Sequence, residues 1–120
     1  MAKILVHITC GPEQPTRAAL GFLVARAAVE EGHSVTLFLA GDAVQLMRDA
    51  VLDGLQGLGT GSLREHHDKL AAGGAKFVLS GASSKARGLT EGELGGKQCE
   101  FGTPAMLVRL SLEHDRVLSY

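Results

Sequence analysis

The sequence predicts a three-layer α/β/α sandwich built on a mainly parallel sheet, and three observations carry this. Short β-type runs alternate with helical runs along the whole chain, a pattern that puts strands in a parallel sheet with helices on both faces. The clearest β-type run, "KILVHI" at residues 3–8, is continuously apolar, as a strand covered on both faces must be. The 120 residues contain no linker, internal repeat or low-complexity tract. They are read as one domain over residues 1–120, large enough to bury a single core.

After the first strand, "PTRAALGFLVARAAVEEG" reads as a helix, with Pro15 suited to its first turn and Gly32 placed as its C-terminal cap. Its apolar residues from Ala18 to Val29 run almost all round, so it is expected to be buried on more than one side, by the sheet and by a neighbouring subunit. "SVTLFLAG" is the second strand, and Asp42 is placed to cap a helix "AVQLMRDAVLDGL". "DGLQGLGTG", with four glycines, reads as a flexible loop. Ser62 is placed to cap "LREHHDKLAAG", with Glu65 three residues on as its capping-box partner. "AKFVLS" is the third strand, and "TEGELGGKQCEFG" is expected to hold a short helix and a short strand. "TPAMLVRLSLEHD", with Pro104 in its first turn, is the last helix, and "RVLSY" the last strand.

The composition narrows function by exclusion. Hydrophobic residues make up 45% and charged residues 21%, against about a quarter charged in ordinary domains. So much apolar residue is hard to hide in a small monomer, which favours a homo-oligomer. A net charge of −1 and a pI near 6.5 supply no field for nucleic acid or anionic lipid. With no Trp, one Tyr and four Phe, few rings are available to stack on bases. The apolar run near Met1 is too short for a signal-peptide core or a membrane span. Two cysteines, Cys10 and Cys99, make no disulfide framework, and the expected setting is cytoplasmic, with both thiols reduced.

Ligands of open α/β sheets gather at the carboxyl ends of the strands, where "TCGPEQP", "LAGDA" and "SGASSKARG" fall. The first places Cys10 and Gly11 ahead of a helix N-terminus, where the dipole favours a thiolate and lowers a thiol pKa. Cys10 is therefore the candidate reactive thiol, against the plainer reading of a small residue filling a turn. Cys99, beside Glu100, is expected to have its thiolate disfavoured by that carboxylate, with Lys97 partly offsetting it. The third stretch joins Ser80, Ser83 and Ser84 to Lys85 and Arg87. Small residues there let backbone N–H groups turn inward, and the two cations suit a phosphate, sulfate or carboxylate. The same stretch also reads as a capped turn or, with a partner supplied by the fold, as a serine nucleophile.

The histidines are weaker signals. In "EHHD" (residues 65–68) neighbouring side chains point apart on a helix, so one of His66 and His67 is expected to pack and the other to be solvated, without a metal. His7 reads as a satisfied core histidine, while His33 and His114 suit the last turns of helices. "GLGTGS" and "GELGGKQ" lack the position or spacing of nucleotide-binding loops, and no cofactor is expected.

Taken together, "GPEQPTRAALGFLVARAAVEEGHSVTLFLAGDAV", "GASSKARGLTEGEL" and "TPAMLVRLSLEHDRVLSY" resemble the DsrE/DsrF-like family over nearly the whole chain. The resemblance implies a five-stranded parallel sheet and assembly into trimers or hexamers. In some members of that family a cysteine at the end of the strand before the Arg-Gly loop carries persulfide sulfur. Ser80 stands at the matching position, and Ser83 where some relatives have a second cysteine. A serine hydroxyl cannot hold a transferable persulfide. The expectation is an oligomeric small-ligand or anion-binding protein related to intracellular sulfur metabolism. The alternatives are a persulfide carrier using Cys10 or Cys99, and a structural subunit of a hetero-complex with DsrE-like paralogues or sulfur-carrier proteins.

Overall fold

The computed structural model describes all 120 residues. In chain order, β1 (Lys3–Ile8) leads into α1 (Pro15–Glu30) and β2 (Ser34–Leu39), followed by a 3-10 segment, Gly41–Met47, and α2 (Asp49–Gly54). A two-rung ladder, β3 (Gln56–Gly57) with β4 (Gly61–Ser62), then leads into α3 (Leu63–Ala72) and β5 (Lys76–Ser80). After α4 (Gly81–Ala86) and a 3-10 turn at Glu91–Leu94 come β6 (Cys99–Gly102), α5 (Pro104–Glu113) and β7 (Arg116–Ser119).

The main sheet has five strands in the order β6-β5-β2-β1-β7, every pair parallel. From β1 the chain steps outward to β6, then crosses back to add β7 on the far side of β1. Three steps in one direction and one in the other put the crossovers on opposite faces, because such crossovers share one hand. The two layers of helix are therefore unequal. A cluster of 22 buried residues joins one sheet face (Val6, Ile8, Leu37, Phe77, Leu79) to α1, α3 and the intervening segments. On the other face the apolar residues buried are Leu5, Phe38 and Val78, under Met106, Leu107 and Leu110 of α5. No residue of α5 itself is buried.

Several local readings hold and have visible causes. Pro15 occupies the first turn of α1, and Gly32 follows the helix end with φ +90°, a conformation that favours glycine. Ser62 caps α3, its hydroxyl accepting from the Glu65 N–H at 3.4 Å. Thr103 caps α5 in the same way through Met106 N–H at 3.2 Å. Only half of the expected capping box forms, because the Glu65 carboxylate is drawn to Arg26 instead. The short helix and strand expected between residues 90 and 102 are both present, the helix as a 3-10 turn.

Other readings are corrected. The helix expected at residues 43–55 is broken at Arg48, which is extended (φ −71°, ψ 137°) between the 3-10 segment and α2. Its guanidinium reaches Gln45 Oε1 at 2.6 Å and the Arg87 carbonyl at 2.8 Å, and pairs with Glu93. Those tertiary bonds outweigh the propensity to continue a helix. Asp42 caps nothing; it lies inside the 3-10 segment, whose cap is Ala40. The glycine-rich loop at residues 53–61 is ordered by the β3–β4 ladder, and Leu58 N–H donates to Thr16 Oγ1 of α1 at 3.1 Å.

Beyond the sheet, α1 also packs against this chain's own α3 and β3–β4 hairpin. The exposed apolar residues lie chiefly elsewhere: Val108 (60%) and Leu112 (82%) on α5, and Val117 (42%) on β7.

Phe22 of α1 is fully buried between the sheet and α3, with its ring centroid 6.1 Å from that of Phe77. The Phe22→Ala variant is expected to lose about 3–5 kcal/mol of unfolding free energy, read as a lower urea midpoint. A loss within error of zero contradicts a core centred on this helix.

Candidate functional site

Three connections meet at the carboxyl edge of the sheet: residues 9–14 after β1, 40–42 after β2, and Ser80 with α4 at the end of β5. A side chain at Gly11 would run into the Asp42 backbone, so the first two loops touch main chain to main chain. The second and third are joined by Gly41 N–H, which donates to Ser83 Oγ at 2.9 Å. Gly41 has φ +58°, which favours glycine. Arg87 adds a second tie, with Nε 3.0 Å from Asp42 Oδ1 and Nη1 donating to the Ser83 carbonyl at 3.1 Å.

The stretch expected to be a loop is the short helix α4. Ser80 is its cap, with Oγ accepting from Ser83 N–H at 3.2 Å. Ser80, Ser83 and Arg87 thus fall into one bonded array, with Gly11 packed against its Asp42. Lys85 is exposed on α4. Ser84 is 1% exposed, with no hydrogen-bond partner for its hydroxyl. Ser84 and Lys85 line a hollow of about 370 Å³ with Leu89, Thr90 and Phe101.

Cys10 borders the array but is 6% exposed and belongs to the main core cluster. The expectation of a lowered thiol pKa is overturned. Burial pushes the Cys10 thiol up, Arg17 pulls it down and Glu13 pushes it up again. Four residues separate Cys10 from the start of α1 at Pro15, too far for a dipole that fades within one turn. Burial also pushes the Cys99 thiol up, with Lys97 opposing it. Glu100 is not a cause, because successive strand residues face opposite sides of the sheet. Cys99 is in register with Phe77, facing α3, while Glu100 is in register with Val78 beneath α5.

Both His66 and His67 are buried, against the expectation that one is solvated. α3 is wedged between α1 and the sheet, so side chains pointing apart still meet protein. The Nδ1 of His66 accepts from Arg26 at 3.3 Å, which leaves Nε2–H to donate to the Thr60 carbonyl at 2.6 Å. The His67 ring lies over Phe77 at 5.2 Å. His7 is half-buried and edge-on to Phe38, but its Nε2 is buried without a partner, so it is not the satisfied core histidine expected. His33 lies beyond the end of α1, its Nδ1 accepting from Ala2 N–H at 3.0 Å. His114 is the C-cap of α5 and donates Nδ1–H to the Leu110 carbonyl at 2.7 Å. No three His, Cys, Asp or Glu side chains are grouped to hold a metal ion.

Sequence reasoning missed the largest cleft, about 680 Å³, at the opposite edge of the sheet. It is lined by His67, Lys76, Phe77, Lys97, Cys99 and Glu100, among others. Only the β5–β6 register and the seating of α3 bring these residues together, and no local spacing announces them.

The open parallel sheet, helices on both faces and polar loops at the carboxyl ends of the central strands define a small α/β/α protein of the open-sheet class. The chain belongs to the DsrE/DsrF-like family, whose model matches residues 2–120. Its fold is similar to that of the YchN protein from E. coli, with TM-score 0.80, 24% identity and both chains covered in full. It is also similar to MTH1491 of Methanobacterium thermoautotrophicum, a protein of unknown function, with TM-score 0.77, 14% identity and both chains again fully covered. BT1422 of Bacteroides thetaiotaomicron, a conserved protein of unknown function, aligns with TM-score 0.69 and 13% identity over 99% of this chain and 95% of its own. No curated protein matches the chain. No helix is long and apolar enough to cross a membrane.

Burial lowers the His7 pKa from its ordinary value of 6.5, so below that value the unfolded chain binds a proton that the native state resists. The contribution to stability is complete above 6.5 and falls away as pH drops through it toward the lower native value. The His7→Leu variant should therefore show a shallower loss of stability below pH 6.5, measured by urea unfolding on both sides of it. An unchanged slope would exclude His7 as a source of acid sensitivity.

Proposed function

We propose that this chain is a cytoplasmic, oligomeric DsrE-like protein that binds a small anion or sulfur-containing ligand at the carboxyl edge of its sheet. It does so without the persulfide-bearing thiol that the family resemblance would place at Ser80. One observation carries the reading. The hydroxyl oxygens of Ser80 and Ser83 already accept backbone N–H groups, which leaves both O–H protons free to donate. Two spare hydroxyl donors beside a guanidinium suit an anion and not a cation. Asp42 already pairs with Arg87, so a bound anion shares or takes over that partner. Lys85, exposed on α4, adds a second positive charge. The site recognises the negative charge of a sulfur-containing ligand and has no nucleophile that would keep its sulfur. Partners in this role are further copies of the chain, DsrE-like paralogues or sulfur-carrier proteins.

Added sulfate should raise the melting temperature of the parent protein through mass action, beyond the effect of sodium chloride at equal ionic strength. Arg87→Ala should lose this rise, whereas Asp42→Asn, which frees the guanidinium, should retain or enlarge it. Equal rises in all three proteins would reduce the effect to general salt and end the reading.

Assembly rests on the thinly covered sheet face. Val108, Leu112 and Val117 expose apolar surface on the side where α5 is the only cover, and a second copy would remove that surface from water. Light scattering should give a trimer or hexamer, with Leu112→Lys shifted toward smaller species. A stable monomer at micromolar concentration rejects it.

A further inference from the structure

The large cleft lies at the amino ends of β5 and β6, the opposite edge of the sheet from the serine and arginine array, and nothing in the proposed function uses it. Its chemistry centres on one phenyl ring. Cys99 and Phe77 are partners in register, so both side chains rise from the same face of the sheet. The His67 ring lies over Phe77 with centroids 5.2 Å apart and planes tilted by 35°. A thiol and an imidazole thus flank the same ring inside one cavity of about 680 Å³.

The protonation pattern of His67 gives the pair a direction. Its Nδ1 lies 2.9 Å from Asp68 Oδ1, and because a carboxylate only accepts, that nitrogen carries the hydrogen. Nε2 is left with its lone pair and makes no hydrogen bond, although the residue is only 7% exposed. Unlike the orphaned Nε2 of His7, this lone pair is not sealed from solvent, so it is open to a proton donor in the cleft. The Cys99 thiol has only a weak partner, the Lys97 carbonyl at 3.7 Å. A metal ion would lack a third ligand here. The cavity is within the size range of small-molecule sites, about 300–1,000 Å³.

We propose that this cleft is a thiol–disulfide exchange site, in which Cys99 forms a mixed disulfide with a low-molecular-weight disulfide and His67 takes up the thiol proton. The Cys99 S–H bond gives its proton to His67 Nε2, and the thiolate attacks one sulfur of the incoming disulfide. The old S–S bond breaks as the new one forms, and the departing thiolate recovers the proton from His67. One disulfide and one thiol are consumed, one of each is produced, and no outside oxidant enters. Burial of Cys99 makes the proton acceptor necessary, since a thiol pushed upward has little thiolate of its own at neutral pH. Cys10, sealed in the core, has no such setting.

The site stands apart from the anion reading and is tested separately, with glutathione disulfide as the probe on the folded, full-length chain. Intact mass and peptide mapping should show one adduct, on Cys99 and not on Cys10, which Cys99→Ser abolishes. His67→Phe, which keeps a ring over Phe77, should slow adduct formation at least about tenfold. Asp68→Ala, at an exposed position, should also slow it and serves if His67→Phe fails to fold by thermal melting. An adduct on Cys10, no adduct on the folded chain, or parent-like rates in the folded His67 and Asp68 variants would each overturn the proposal. Cys99→Ser should keep the parent's response to sulfate, so failure at one site is not mistaken for failure at the other.

Discussion

The parallel pairing of β1 with β2, in register from Lys3↔Ser34 to Ile8↔Leu39, is the constraint from which the rest of the molecule follows. Parallel neighbours cannot be joined by a tight turn, so each further strand requires a crossover. Outward steps from β1 through β2 and β5 to β6 place α1, α3 and the 3-10 turns on one face. The single step back to β7 places α5 alone on the other. The unequal cores, one of 22 residues and one of three, are thus a consequence of strand order.

The same pairing makes both chemical regions. Parallel strands end together, so the loops after β1, β2 and β5 arrive at one edge and need only short polar ties to become a unit. The Gly41–Ser83 bond and the Arg87–Asp42 pair supply them. At the other edge the strands begin together, and α3 must descend past Phe77 to enter β5. The two regions sit about one strand length apart and share no side chain.

Much of this was legible in the residues. Continuous apolar runs marked the three central strands because full burial leaves no room for alternation. Prolines at 15 and 104 marked helix starts because each lacks the N–H that a first turn does not use. Strand ends marked the loops at Gly11 and Ser80 as a shared edge. What stayed hidden depended on contacts distant in sequence. Ala43, Val44, Leu46 and Met47 fit an α-helix as well as a 3-10 turn, and only Arg48's bonds to Arg87 and Glu93 decide between them. For His66 and His67 the directions were right and the surroundings were not, since α3 has protein on both flanks. Cys10 was rightly placed at a strand end, but depth is set by the layers that close over it.

β7 carries a consequence for how the molecule is made. It pairs with β1 through Ile4↔Arg116 and its successors, so β1, made well before β7, waits for it before that side is closed. Until β7 emerges the backbone groups along the outer side of β1 have no partner, and a bare strand edge is a template for another chain. Contacts this distant in sequence also form slowly. His7 lies on this strand opposite Ser119, and Tyr120 N–H bonds to its carbonyl at 2.8 Å. The nascent chain is therefore most exposed to mispairing along β1, and docking β7 and protecting that edge from neighbouring chains are the same event.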